Sequence, residues 1–156
     1  WVLGSIFSVL GAIYTAFLFA QARARDLWQS KWVSATHMLV HAIISGSFVL
    51  MIISPLSKNY MANFLLLSIT INIIIIMKEI LFPHNTPDSK KAIHLMTKGY
   101  YSKYFWLGIT LGSFIPIIML STQIGELVII AGVLSLIGNY LTEYVRIRIP
   151  QMIPLS

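Results

Sequence analysis

His37 and His41 stand one helical turn apart in an uncharged run of the chain, and imidazoles exchange protons near neutral pH. A rise of 1.5 Å per residue would place His41 about 12–14 Å inside an apolar helix, a depth costly for a histidine facing lipid. Tyr14 and Thr15, Asn72 and Asn139 fall at similar heights in three other apolar runs. Glu79 and Glu143 stand near the inner ends of two of those runs, with Glu143 one turn beyond Asn139. Histidine and carboxylate can pass protons, and Tyr, Thr and Asn can hold water between them, so these eight residues form a candidate proton path. The competing reading has each polar group bonding a neighbouring helix, with Glu79 and Glu143 as solvated ends beside Lys78 and Arg146.

Other chemistry finds little support. Two histidines one turn apart share a face and cannot grip a haem from opposite sides, while His84 and His94 fall in a connection. A zinc site lacks a third ligand at any obvious spacing. The chain has no cysteine and therefore supplies no thiolate to an iron–sulfur cluster. It carries no Gly-rich phosphate loop or nucleophile motif, and no catalytic residue or metal site is assigned.

The elements that must position these groups are five apolar runs, Val2–Ala20, Val33–Ser54, Asn59–Met77, Tyr104–Gly125 and Leu127–Thr142, each near the length that crosses about 30 Å of hydrocarbon. A mean hydropathy of +0.80 and 10% charged residues exclude an ordinary soluble domain, where roughly a quarter of residues are charged. The expected fold is all-α, an integral membrane bundle of five transmembrane helices.

Threading the runs alternately puts Arg23, Arg25, Lys31, Lys78, Lys90, Lys91, Lys98, Lys103, Arg146 and Arg148 on one side and Lys58 alone on the other. Basic residues beside spans stay in the cytoplasm, which predicts an outer N-terminus and a cytoplasmic C-terminus. The net charge of +6 is thereby assigned to topology and anionic headgroups, and nucleic acid is excluded as a partner. Trp1 opens in the middle of an apolar run, so the chain reads as a fragment lacking upstream helices, and no cleaved signal peptide fits.

Small residues mark faces for close helix packing, because lipid offers no hydrophobic drive between helices. These are Gly4, Ser8 and Gly11 in the first run, Ala42 and Gly46 in the second, Gly108 and Gly112 in the fourth, and Gly132, Ser135 and Gly138 in the fifth. Pro116 frees the carbonyl of Gly112 and predicts a bend. The connection from Lys78 to Lys103 holds a turn-rich stretch from Pro83 to Asp88, then an amphipathic segment Ser89–Thr97 ending at Gly99. Tyr100, Tyr101, Tyr104, Phe105 and Trp106 predict an interfacial aromatic anchor.

Three patches carry a family resemblance. The segment Gly11-Ala-Ile-Tyr-Thr-Ala-Phe-Leu-Phe-Ala-Gln-Ala-Arg-Ala-Arg-Asp-Leu-Trp-Gln-Ser30 resembles the Tyr-Thr helix and Leu-Trp loop of the NrfD/PsrC family, the membrane subunits of polysulfide reductase-like and alternative complex III-like enzymes. The series His84, Thr86, Asp88, Ala92, Met96, Thr97, Gly99, Phe105-Trp106, Gly112 and Pro116 is similar to that family too, as is the ending Arg148-Ile-Pro-Gln-Met-Ile-Pro-Leu-Ser156.

The resemblance implies a haem-free subunit of a respiratory or photosynthetic complex in the bacterial inner membrane. Such a subunit binds quinone or menaquinone and docks on an iron–sulfur partner, with which it exchanges electrons. Family members have eight to ten helices, so this chain resembles the C-terminal part, while the quinone pocket belongs to the N-terminal bundle. Proton conduction through the second bundle, proposed for the family, would fit Tyr14, His37, His41, Asn72 and Glu143.

Two further readings compete with this one. In a secondary transporter the polar layer would bind an ion or solute, but no matched pair of broken helices and no inverted repeat is present. A passive membrane anchor would only assemble other subunits of a redox complex.

Overall fold

The computed structural model describes residues 2–19, 21, 31–54, 58–82 and 86–153, and among these residues there is no strand. The helices are α1 (Val2–Phe19), α2 (Lys31–Ile53), α3 (Lys58–Leu81), α4 (Pro87–Thr97), α5 (Ser102–Ile109), α6 (Ile115–Ser121) and α7 (Gly125–Arg148). A π-helical turn, Thr110–Phe114, joins α5 to α6 in one rod, and a 3-10 turn, Pro150–Met152, follows α7. Four rods, α2, α3, α5–α6 and α7, are long and apolar enough to cross a membrane, and α1 is a shorter apolar helix. The molecule is an all-α membrane helical bundle. Arg23, Arg25, Leu27, Trp28, Pro55, Pro83 and His84 lie outside the described residues.

Two helices run further than hydropathy marks them. α3 continues past Met77 to Leu81, and α7 continues past Thr142 to Arg148. Hydropathy measures how long a segment stays in hydrocarbon, whereas a helix goes on until a residue such as Pro150 stops it. Glu79, Glu143 and Arg146 therefore stand on helix faces aimed at the bundle.

The core has two apolar halves. At the far end, Val40, Ile44, Phe48, Leu65, Ile69, Leu120 and Ala131 pack together. At the basic end, which carries the connection through α4, Ile76, Met96, Phe105, Ile109, Val145 and Ile149 form the second cluster. Phe105 is buried there and leaves the interfacial anchor to its neighbours, Tyr100, Tyr104 and Trp106, which stay exposed. Trp106 fixes the junction by donating from Nε1 to the Thr97 carbonyl, 3.0 Å away.

α4 starts where the sequence supplies a cap. Thr86 accepts from the Ser89 amide at 3.2 Å, Pro87 fills the first turn, and Asp88 favours the positive helix end. Ser89, Ala92 and Met96 make its buried stripe, as the amphipathic pattern predicts.

Glycine lets two rods meet backbone to backbone. A methyl on Gly138 would collide with the Gly112 Cα and the Gly108 carbonyl oxygen, so α7 lies directly on the α5–π–α6 rod. Gly132 meets the Phe48 ring instead. By contrast a Cβ at Gly4, Gly11 or Gly46 would meet open space and Ala42 is exposed, so a helix-to-helix approach that only a small residue allows is not made at these positions. Spacing names a smooth face without naming its neighbour. Near Pro116 the helix answers the missing N–H with the π turn, in which the Ile115 amide reaches back to the Thr110 carbonyl. At the far end Gln123, at φ 59°, donates to Asn63 at 3.1 Å and ties the α6–α7 turn to α3.

Candidate functional site

Three helices place six polar side chains between the two apolar halves. α2 contributes His37 and His41, α3 contributes Asn72 and Glu79, and α7 contributes Glu143 and Arg146. Each pair comes from the helical repeat, since residues three, four or seven apart share a face. α2 runs antiparallel to α3 and α7, so the start of α2 meets the ends of the other two and the pairs come together.

One oxygen joins the two histidines. His37 Nε2 donates to Glu143 Oε1 at 2.9 Å, and His41 Nδ1 lies 3.4 Å from the same oxygen. The two rings are 4.2 Å apart, centre to centre, and tilted by 45°. His41 Nε2 bonds Asn72 Oδ1 at 3.2 Å, and because an amide oxygen only accepts, the imidazole must donate. A neutral His41 then turns a bare Nδ1 toward the carboxylate. Two lone pairs face each other over 3.4 Å, an arrangement that a proton or a metal cation between them relieves. His37 is wholly buried, and its Nδ1 has no hydrogen-bond partner among the described residues. Buried polar atoms left unmatched are expected at working sites more than at structural ones.

Arg146 extends the cluster toward the basic end. Its NH2 bonds Glu79 Oε1 at 3.1 Å and its NH1 lies 3.9 Å from Glu143 Oε1, with the guanidinium only 2% exposed. Two carboxylates thus face one guanidinium. Glu143 is reached from outside through a cavity of about 320 Å³ lined by Tyr140, Glu143, Tyr144, Ile147, Arg148 and Gln151.

The structure brings together His37, His41, Asn72, Glu79 and Glu143 from the eight residues singled out in the sequence. Tyr14 and Thr15 do not join them: both are exposed on α1, Tyr14 at 65%. Equal height fixes depth but not direction around the helix. Asn139 is buried one turn before Glu143, with its Nδ2 unpartnered among the described residues. Arg146 was missed, being counted as a basic flank although it is buried, and Glu79 and Glu143 are bonded members of the cluster instead of solvated ends. The available signal was spacing, since Arg146 shares a helical face with Asn139 and Glu143. Glu143, 106 residues from His37, stands as the third potential ligand that no sequence spacing reveals.

A model of the family described as "Polysulphide reductase, NrfD" matches residues 1–154. The chain belongs to the NrfD family. NrfD proteins are membrane subunits of polysulfide reductase-like redox complexes, and this one is a multi-pass membrane protein of that kind. The match takes in the first two patches of resemblance, the third as far as Pro154, and every residue of the buried cluster. No curated protein and no solved structure matches the chain.

Proposed function

We propose that this NrfD subunit carries protons through its His37–Glu143–His41 cluster while its complex exchanges electrons between a quinone or menaquinone and an iron–sulfur partner. The observation carrying the proposal is the single Glu143 oxygen shared by both histidines. A proton on that oxygen, or on His41 Nδ1, turns the facing lone pairs into a hydrogen bond, so its transfer between the two groups covers only a short distance. Asn72 holds His41 from the far side, and the Arg146–Glu79 pair fixes Glu143 from the basic end.

Quinol supplies two electrons and two protons per molecule oxidised to quinone. The quinone's seat is assigned to another part of the complex, and the buried cluster of this chain handles protons alone. The basic end faces the bacterial cytoplasm, because Lys78, Lys90, Lys91, Lys98, Lys103 and Arg148 gather there.

The test is Glu143→Gln in the intact complex in proteoliposomes. Proton uptake coupled to quinol turnover should fall at least about tenfold, in line with the loss of a positioned acid–base group, while the complex stays assembled. Unchanged uptake returns the cluster to packing. Quinone-linked activity that persists after the iron–sulfur partner is stripped away refutes the division of labour.

A further inference from the structure

We propose that His37 Nε2, His41 Nδ1 and Glu143 Oε1 form a binding site for a divalent transition metal, of which zinc is the best match. The three atoms lie within 4.8 Å of one another, with separations of 2.9 and 3.4 Å from the carboxylate oxygen to the two nitrogens. Tetrahedral zinc, with bonds of about 2.0–2.2 Å, sets its ligand atoms about 3.3–3.5 Å apart. The widest gap must therefore close by about 1.5 Å at most, a change within reach of the Glu143 and His41 side-chain torsions.

Four features favour a cation here. Histidines four apart on a helix are a recurrent chelating pair for zinc, with both rings on one face. Asn72 Oδ1 takes the proton of His41 Nε2 and so leaves Nδ1 as the lone pair aimed inward, which is the support that metal-binding histidines commonly receive. The surrounding charge is also suitable, since Glu79 and Glu143 outweigh Arg146 when the histidines are neutral. Finally, the cavity beside Tyr140, Tyr144 and Gln151 opens onto Glu143 and gives an ion a route from the basic end. Two nitrogens and one oxygen with a fourth position left for water suit zinc better than calcium or magnesium, which prefer oxygen ligands. On binding, His37 yields its Nε2 proton, which shifts to Nδ1, and the carboxylate exchanges a hydrogen bond for a metal bond.

Binding does not depend on the proton reading, but one consequence does: a bound ion occupies the place where a proton would pass between Glu143 and His41. The complex, cleared of metal with a chelator, is titrated with cobalt(II) and then zinc. Cobalt should bind with one-to-one stoichiometry and give the intense visible bands of a four-coordinate ion, and zinc should displace it.

His41→Ala and Glu143→Gln should each weaken binding at least tenfold, whereas His94→Ala, on exposed α4, should not. X-ray absorption at the zinc edge of the unaltered protein should count two imidazole nitrogens and one carboxylate oxygen, which settles the ligands even where a variant does not fold. Absence of a stoichiometric site, or a shell of oxygen alone, overturns the proposal. Stoichiometric binding that leaves proton uptake unaffected keeps the metal site and refutes the proton path.

Discussion

Arg146 is buried to 2% exposure against Glu79, and that single placement organises the groups around it. Removing one partner of a buried pair leaves the other charge uncompensated, which costs about 3–5 kcal/mol, whereas replacing both by apolar groups of similar size is close to neutral. Arg146→Ala should therefore lower stability by about 3–5 kcal/mol, and Arg146→Met with Glu79→Leu should recover most of it, as read by thermal unfolding in detergent. If the double variant is no better than the single one, the Glu79 contact is incidental. His37, His41 and Asn72 were legible as buried from their depth in apolar runs, since lipid penalises a polar group that faces it. Which oxygen each ring meets was not legible, because Glu143 comes from a helix 106 residues away.

The helices show which sequence signals carry across a contact. Gly138 and Gly112 meet backbone to backbone, so a methyl at Gly138 forces α7 away from the rod that contains the π turn. Gly138→Ala should cost about 1–3 kcal/mol, in the range of overpacked cores, while Gly46→Ala, which faces open space, should change the unfolding midpoint little. Equal losses in the two variants would mean that propensity and not packing sets the cost. The end of α4 at Thr97 followed from the local amphipathic pattern, whereas its start lies at Pro87, two residues before the expected Ser89, because the Thr86 side chain caps it. The ends of α3 and α7 did not follow, because a hydropathy window stops at the first charged residue while the helix continues through it.

At the scale of the whole molecule, basic residues gather at one end of the bundle, and Lys58 stands at the other, beside Gly125. With no native cysteine, a single introduced thiol reports its own side of the membrane. Lys58→Cys should react in intact cells with a membrane-impermeant maleimide and Lys90→Cys only after permeabilisation; the reverse pattern would invert the proposed orientation. By itself the sequence determined the all-α membrane fold, the number of apolar runs and the depth of each polar group. These are properties of a segment in its solvent, and hydrocarbon enforces them one helix at a time. Only the tertiary structure decided that Glu143 lies between two histidines, that Arg146 is buried, and that Tyr14 and Thr15 face away, because rotation about each helix axis is set by the neighbours packed against it.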